Sequence, residues 1–497
     1  VNLKSYFRLK NKKMKLIYFF QVLVLVVFLT TCAKNPVTGK REVMLISEAD
    51  EIKLGAESDP EILAEFGVLE NPDLQVFINE KGNEMAKISH RSSLPFHFKI
   101  LDSPVVNAFA LPGGYVYFTR GILAHFNNEA QFSGVLGHEI GHVTARHGAN
   151  QYSKQMLAQL GLAIGSSISK ELEAFAQIAG VGVQLLFMKF GRADESQSDE
   201  LGVEYATKTG YDCVQMADFF KTLDKLGGGA EGRMPAFLST HPAPLDRFEK
   251  VGELTKTWQD KYPSQSFSVN RESYLRRIDG LPYGEDPQQG FVEKEVFYHP
   301  ALAFYFPVPK DWNLTNAPAN VTITEKSGKS MVIFDLAKGN NFDAALKESL
   351  EDNDLILVKD KKRRINGFQA MEADLTQKTP NSGAEPLTIK LTLIQDGEKM
   401  FRFLAIAQGK EVSAFFTAMD KTVNGFSRLN DSEKLNRKVE LIQIVNVKKS
   451  GSLSDVLAEF KMPVSRHKEL AVLNGMELTD KVSNNMLIKI VKNLKPE

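Results

Sequence analysis

The chain has 497 residues, with 61 Lys and Arg against 61 Asp and Glu, and 43% of it is hydrophobic. Zero net charge, no long basic run and no basic–aromatic patch exclude nucleic acid as a partner. The composition is that of a globular protein with room for about two to four domains.

At the N-terminus, Lys10, Lys12, Lys13 and Lys15 flank an apolar run over residues 16–29, interrupted by Gln21. The run is too short to span a bilayer comfortably and suits a signal-peptide core. It ends Leu29-Thr30-Thr31-Cys32, which resembles a bacterial lipobox. Residues 1–32 are therefore read as a lipoprotein signal peptide, with Met14 as a natural start and a lipid on Cys32 tying the chain to a membrane. An uncleaved anchor is the rival reading. Ala33, in place of the Asp that retains enteric lipoproteins at the inner membrane, favours a periplasm-facing outer-membrane lipoprotein of the bacterial cell envelope. With Cys32 lipidated, Cys213 is left alone and no intramolecular disulfide forms.

Residues 35–39 form a turn-rich tether, and a helix starts at Ser47. A second helix covers residues 74–88, with Val76, Phe77, Ile78, Met85 and Ile88 at core spacing. Residues 96–101 read as a strand. Residues 105–119 hold two extended runs around Leu111-Pro112-Gly113-Gly114.

Residues 134–148 carry His138-Glu139-Ile140-Gly141-His142, an H-E-x-x-H pattern. Positions four apart share one helical face, so His138 and His142 can grip one metal ion. Glu139 is placed to take a proton from a water held there. Asn128 is a good N-cap with Gln131 at the capping-box position, and Phe132, Val135, Leu136, Ile140 and Val143 make an apolar stripe. Gly134, Gly137 and Gly141 disfavour a helix and imply close packing against a neighbouring backbone. A catalytic zinc needs three protein ligands. The extended motif that would supply a third histidine fails, because Ala145 and Gly148 occupy its Gly and His places. His147 is one residue short and reads as a polar helix end. The other route is a second helix, where Glu195 and Asp199 lie four apart. Glu195 is the candidate third ligand. Asp199 can accept a hydrogen bond from the outer nitrogen of a ligating histidine.

Residues 156–190, between the two helices, read as helical and apolar; within them residues 174–188 are too short and too polar for a membrane span, and a buried helix or one that covers the cleft is expected. The second helix should stop at Gly210, another cover residues 216–226, and Gly227-Gly228-Gly229 form a loop beside the site. Amide hydrolysis builds negative charge on the carbonyl oxygen, and His241 or Arg247 could supply the stabilising donor. His241 could instead be a fourth, resting metal ligand, and Arg247 a helix-surface ion pair.

The peptidase-like region should end near residue 290, among turn residues. Residues 291–430 read as an antiparallel α+β domain without a catalytic constellation. Strands are expected at 303–307, 321–324, 331–335, 370–375, 389–395 and 400–407, and helices at 341–350 and 412–423. Residues 431–497 hold a βααβ unit whose Leu473-Asn474-Gly475 looks like a LysM domain, with Gly451-Ser452-Leu453 in place of the usual Gly-Asp-Thr. That likeness implies peptidoglycan as a further partner.

H-E-x-x-H followed by Glu195-x-x-x-Asp199 resembles the zinc metallopeptidases of the HtpX and CAAX-prenyl-protease superfamily, above all its periplasmic lipoprotein branch of the BepA type. Residues 107–114 and 240–247, the latter with His241-Pro242, resemble the segments that flank the site in that family. The resemblance spans about residues 35–285. It implies a multidomain α+β protein. A mainly helical gluzincin-type domain with a small sheet, residues 33–290, would hold one Zn2+ per chain on His138, His142 and Glu195. It further implies a strand edging the cleft that pairs with extended substrate, for which residues 108–110 or 115–118 are the candidates. The expected substrates are misfolded or misassembled cell-envelope proteins. The alternative is an envelope chaperone or cell-wall-binding assembly factor with a gated or weak peptidase site. An autonomous peptidase should survive removal of residues 291–497, whereas a binding factor should not.

Overall fold

Helix α1 (Glu48–Phe66) begins at Ser47, whose hydroxyl and the Asp50 carboxylate cap each other's backbone N–H groups. The structure is a computed structural model and describes residues 32–159, 185, 188–227, 236–241, 246–326, 330–352, 355–378, 387–408 and 412–494. The signal-peptide run, most of the apolar stretch between the metal-helix candidates, the end of the glycine loop and residues 242–245 lie outside them. No described helix is long and apolar enough to cross a membrane.

Before α1, a hairpin of β1 (Cys32–Lys34) and β2 (Arg41–Val43) turns through the tether. Helix α2 (Pro72–Ile88) is capped by Asn71 and buries Phe77, Ile78 and Met85. Val76 and Ile88 are exposed instead, because the core stripe is narrower than their spacing allowed. A three-stranded sheet comes next, of β3 (His97–Leu101), β4 (Ala108–Leu111) and β5 (Tyr115–Thr119). Its order is β3-β5-β4, with β5 parallel to β3 and antiparallel to β4. Strand β5 is thus central and wholly buried, so residues 115–118 cannot be a free edge. Strand β4 is at the edge.

The short α3 (Arg120–His125) leads into the motif helix α4 (Glu129–Thr144), which is buried along its whole length. Helix α5 (His147–Gln159) comes immediately after it. Helix α6 (Arg192–Lys208) packs across α4, with α7 (Val214–Gly227), α8 (Ala236–Thr240) and α9 (Asp246–Gln259) around them. The glycines set this packing. A Cβ on Gly137 would lie 2.9 Å from the Gly202 carbonyl oxygen, and one on Gly202 would lie 3.0 Å from the His138 nitrogen. A Cβ on Gly141 would meet Leu201 and Ser198, and one on Gly134 would meet Met216. The two helices touch backbone to backbone, as the three motif-helix glycines imply.

Residues 291–430 are sheet-rich. Seven antiparallel strands lie in the order 355–365, 368–377, 387–396, 399–408, 330–337, 320–324, 313–316 across one sheet, beside a four-stranded sheet. Helices at Phe342–Asp352 and Val412–Asn424 pack on them. All the expected strands and helices are present. The strand Leu355–Ile365 is an addition: its Lys359 to Arg364 charges hide the alternation, and it is an edge strand, where lysines block further pairing. Phe304, Phe306, Phe334, Phe401, Phe403 and Phe426 form a separate aromatic core there.

The βααβ unit is present: Val439–Asn446 pairs antiparallel with Leu487–Leu494, around helices Leu453–Glu459 and His467–Leu473. It does not stand apart. Ile442, Leu457, Leu470 and Ile488 belong to one core with Phe118, Phe126 and Phe132. The fully buried Lys489 donates through Nζ to the carbonyls of Ala124 (2.7 Å) and Phe126 (2.9 Å), in the turn leading into α4. Burial pushes its pKa well down, and the two acceptors offset part of that cost. Removing residues 291–497 therefore damages the core that holds α4 and does not separate the two readings of the sequence.

Gly137→Ala should cost about 1–3 kcal/mol in denaturant unfolding, by overpacking against Gly202. Gly252→Ala, where a Cβ meets nothing within 4 Å on α9, should instead gain about 0.5–1 kcal/mol. Deleting residues 431–497 should leave the rest of the chain insoluble or rapidly digested in limited proteolysis. A soluble, resistant product would refute the shared core.

Candidate metal centre

Asn128 caps α4 as its sequence position implies, accepting from the Gln131 N–H at 2.8 Å. Gln131 reaches back one residue further than a capping box requires, to the Asn127 N–H at 2.7 Å. At the other end, Arg91 donates to the Val143 carbonyl at 3.0 Å, and Arg146 donates to the Ile46 carbonyl at 3.1 Å. Glu51, buried between these two guanidiniums, pairs with both. Cations at a helix C-terminus complement its dipole. The motif helix is therefore held at both ends before any ligand is considered.

One turn of α4 places His138 and His142 together, their Nε2 atoms 3.0 Å apart. Glu195 comes from the first turn of α6, with carboxylate oxygens 3.7 Å from His138 Nε2 and 3.5 Å from His142 Nε2. His241, just after α8, adds Nδ1 at 3.3 Å from His138 Nε2 and 2.9 Å from Glu195 Oε1. One ligand atom from each of these four buried residues lies within 4.8 Å of all the others. Three imidazoles and a carboxylate converging in a dry site have the donor chemistry and number of a zinc centre. Both Glu139 oxygens and His241 Nε2 lack a hydrogen-bond partner among the described residues. Buried polar atoms left this way mark a place prepared for a ligand or water. The residues fit zinc.

Charge in the site is set by burial and neighbours. Burial raises the Glu139 carboxyl above its ordinary pKa, against the pull of His241 and His138. Burial also keeps His142 well below the ordinary histidine value, and the neighbouring histidines add to that. Glu195 is lowered although burial opposes it, because His241, His138 and Arg247 together outweigh desolvation. His241 is raised by Glu195 and Glu139 despite its burial. Neutral His142 and ionised Glu195 are the forms that can ligate a cation.

An outer ring orients these groups. Asp199 Oδ1 lies 3.0 Å from His138 Nδ1, one turn along α6 from Glu195. Arg247, on α9, is buried rather than on a helix surface. It donates through Nε and Nη2 to Asp199, both at 2.7 Å, and its Nη1 lies 3.1 Å from Glu195 Oε2. His147 is also buried, with Nδ1 3.1 Å from His142 Nδ1. Burial holds its pKa below the ordinary value. The sequence reads His147 as a polar helix end; it does open α5, and the structure adds that it is buried against His142. The signal that could have found it is the closeness of a third histidine to an H-E-x-x-H pair.

The cluster is covered. The ring of Phe190 is 4.2 Å from that of His142, and Phe237 stacks on His241 at 4.7 Å. Every ligand candidate is at most 2% exposed. A narrow crevice beside His142 is lined by Ala110, Leu111 and Pro112, at the end of the edge strand β4.

Residues 72–255 match the family model described as Peptidase family M48. The chain is 31% identical over 187 residues to the mitochondrial metalloendopeptidase OMA1 of Arabidopsis thaliana, covering 37% of each chain. It is 30% identical over 224 residues to the beta-barrel assembly-enhancing protease of Escherichia coli (strain K12), covering 43% of this chain and 45% of that one. The chain thus spans less than half the length of these curated relatives. A cyanobacterial PsbP solution structure from Synechocystis overlaps 29% of this chain at 10% identity, but a TM-score of 0.24 carries no argument. The segment that matches peptidase family M48 contains the helices that carry His138, His142 and Glu195, together with His241 and Arg247, so the likeness takes in the whole of the site.

Proposed function

We propose that the chain is a zinc metalloendopeptidase of the bacterial cell envelope, acting on misfolded or misassembled envelope proteins. The observation that carries the reading is the buried convergence of His138, His142 and Glu195 beside Glu139, with both Glu139 oxygens free of hydrogen bonds among the described residues. The names of the relatives, an assembly-enhancing protease and a metalloendopeptidase, support the substrate class and reaction.

Zinc, when bound, supplies Lewis-acid polarisation of the scissile carbonyl and acidifies a water. Glu139 takes the water's proton and passes it to the leaving amine. Asp199 keeps His138 in the tautomer that offers Nε2 to the metal. Arg247, with Nε and both terminal nitrogens turned to Asp199 and Glu195, serves as a positioning residue for them. His241 has two candidate roles. Its Nδ1 lies among the ligand atoms, which suits a resting fourth ligand. Its unpartnered Nε2 lies 3.8 Å from Glu139 Oε1, where it could donate to the oxyanion. Residues 108–110, on the free edge of β4 beside the crevice to His142, are where an extended substrate would pair.

The coverage of the site by Phe190 and Phe237 suits a gated enzyme, and the assembly-factor reading is not favoured. Lipid on Cys32, an outer-membrane address and glycan binding by the βααβ unit complete the proposal. They rest on the lipobox-like and LysM-like sequences.

Glu139→Gln should retain zinc while casein cleavage falls by about 10²–10⁴-fold. Full cleavage by a zinc-loaded Glu139→Gln protein would refute the assignment. If wild type is itself silent, His241→Ala should release activity when that residue is the resting ligand, and should stay silent when it is the oxyanion donor. Chelation should abolish cleavage and lower the melting temperature, both restored by zinc, because a ligand bound only to the native state stabilises it.

A further inference from the structure

His142 and His147 are five residues apart. On an uninterrupted helix that spacing sets two side chains about 140° apart, and they cannot meet. Here α4 ends at Thr144 and Arg146 adopts a left-handed conformation, φ 61°. That conformation disfavours a residue with a side chain. The ion pair of its buried guanidinium with Glu51 holds it there. The kink starts α5 in a new direction and folds His147 back over His142, ring centroids 5.0 Å apart.

The hydrogen bonds of His147 then have a direction. Gln197 Oε1 lies 3.0 Å from its Nε2, and Asp194 Oδ1 lies 3.8 Å from the same nitrogen. An amide oxygen and a carboxylate only accept, so Nε2 carries the hydrogen. A neutral imidazole protonated at Nε2 offers a lone pair at Nδ1. That lone pair faces His142 Nδ1 at 3.1 Å, and Ser198 Oγ, able to turn either way, lies farther off at 3.3 Å. The 3.1 Å contact is a hydrogen bond only if His142 carries its hydrogen on Nδ1, which leaves bare Nε2, the nitrogen that points at His138 and Glu195.

We propose that His147, held by Gln197, is a positioning residue that fixes His142 in the tautomer able to bind the metal. Gln197 and His147 do for His142 what Arg247 and Asp199 do for His138. The two ligating histidines are thereby set by different chemistry, one by a carboxylate and one by a neutral imidazole. The inference rests on the zinc-site reading, but its first readout needs no metal.

The test uses the full chain with ¹⁵N-labelled histidine. In the zinc-free protein, long-range ¹H–¹⁵N spectra should show His142 protonated at Nδ1 and bare at Nε2. Gln197→Leu removes the acceptor and should mix the His142 tautomers. In chelator competition it should weaken zinc binding by about 10–100-fold. Gln197→Glu keeps an acceptor and should restore both. His147→Phe should behave like Gln197→Leu. Gln197 is only half-buried, so its two variants decide the matter if His147→Phe fails to fold. Unchanged tautomer and affinity in folded Gln197→Leu would overturn the proposal. So would a loss in Gln197→Glu as large as in Gln197→Leu. A wild type that shows the expected tautomer but binds no zinc would instead overturn the metal-site reading alone.

Discussion

Everything at the centre depends on two helices being allowed to touch. Gly137 and Gly202 bring the backbones of α4 and α6 so close that a single methyl group between them would collide with a carbonyl or an amide. Only at that separation can Glu195, on one helix, reach the two histidines on the other. The glycines cost helix propensity, up to about 1 kcal/mol each against alanine. What offsets it is packing: a fully buried apolar stripe, caps at both ends and the Arg91–Glu51–Arg146 network beneath the C-terminus.

Around that contact the protein buries an unusual amount of charge. Glu139, Glu195, Asp199, Arg247 and four histidines lie with almost no exposure. Isolated, each would be expensive to desolvate. Five of them fall into two linked sets, and Glu195, paired with Arg247 and His241, joins the first. One, Arg247–Asp199–His138, is held by a guanidinium and a carboxylate; the other, Gln197–His147–His142, is neutral. Glu139 belongs to neither set and has no hydrogen bond to its carboxylate among the described residues. The groups around Glu139 are thus tied to one another, while its carboxylate, the proposed base, is not.

The legible parts of this arrangement are those set by local period. His138, Glu139 and His142 share a helical face, Glu195 and Asp199 share another, and the glycines between them announce a close helix contact. What escapes is set by non-local geometry. His147 meets His142 only because Arg146 departs from the right-handed region, which no spacing rule reveals. Residues 115–118 look as good an edge as 108–110, since strand order within a sheet is not written in either strand. Val76 and Ile88 fit the helical period yet face solvent. The charged strand 355–365 is hidden by the very lysines that protect an edge. The C-terminal unit is legible as βααβ, but its union with the core around α4 depends on contacts more than 300 residues apart, such as Lys489 with Ala124, 365 residues away.

That last contact has a temporal side. Lys489 meets the Ala124 carbonyl across 365 residues of chain. During synthesis the motif helix emerges long before the strand that braces the turn in front of it, and chains are made at about 5–20 residues per second. For tens of seconds the chain carries its H-E-x-x-H sequence without the frame that aligns it. The strand Leu487–Leu494 is therefore the last part of the frame to be made, and a chain cut short before it leaves the stretch ahead of α4 without its Lys489 brace.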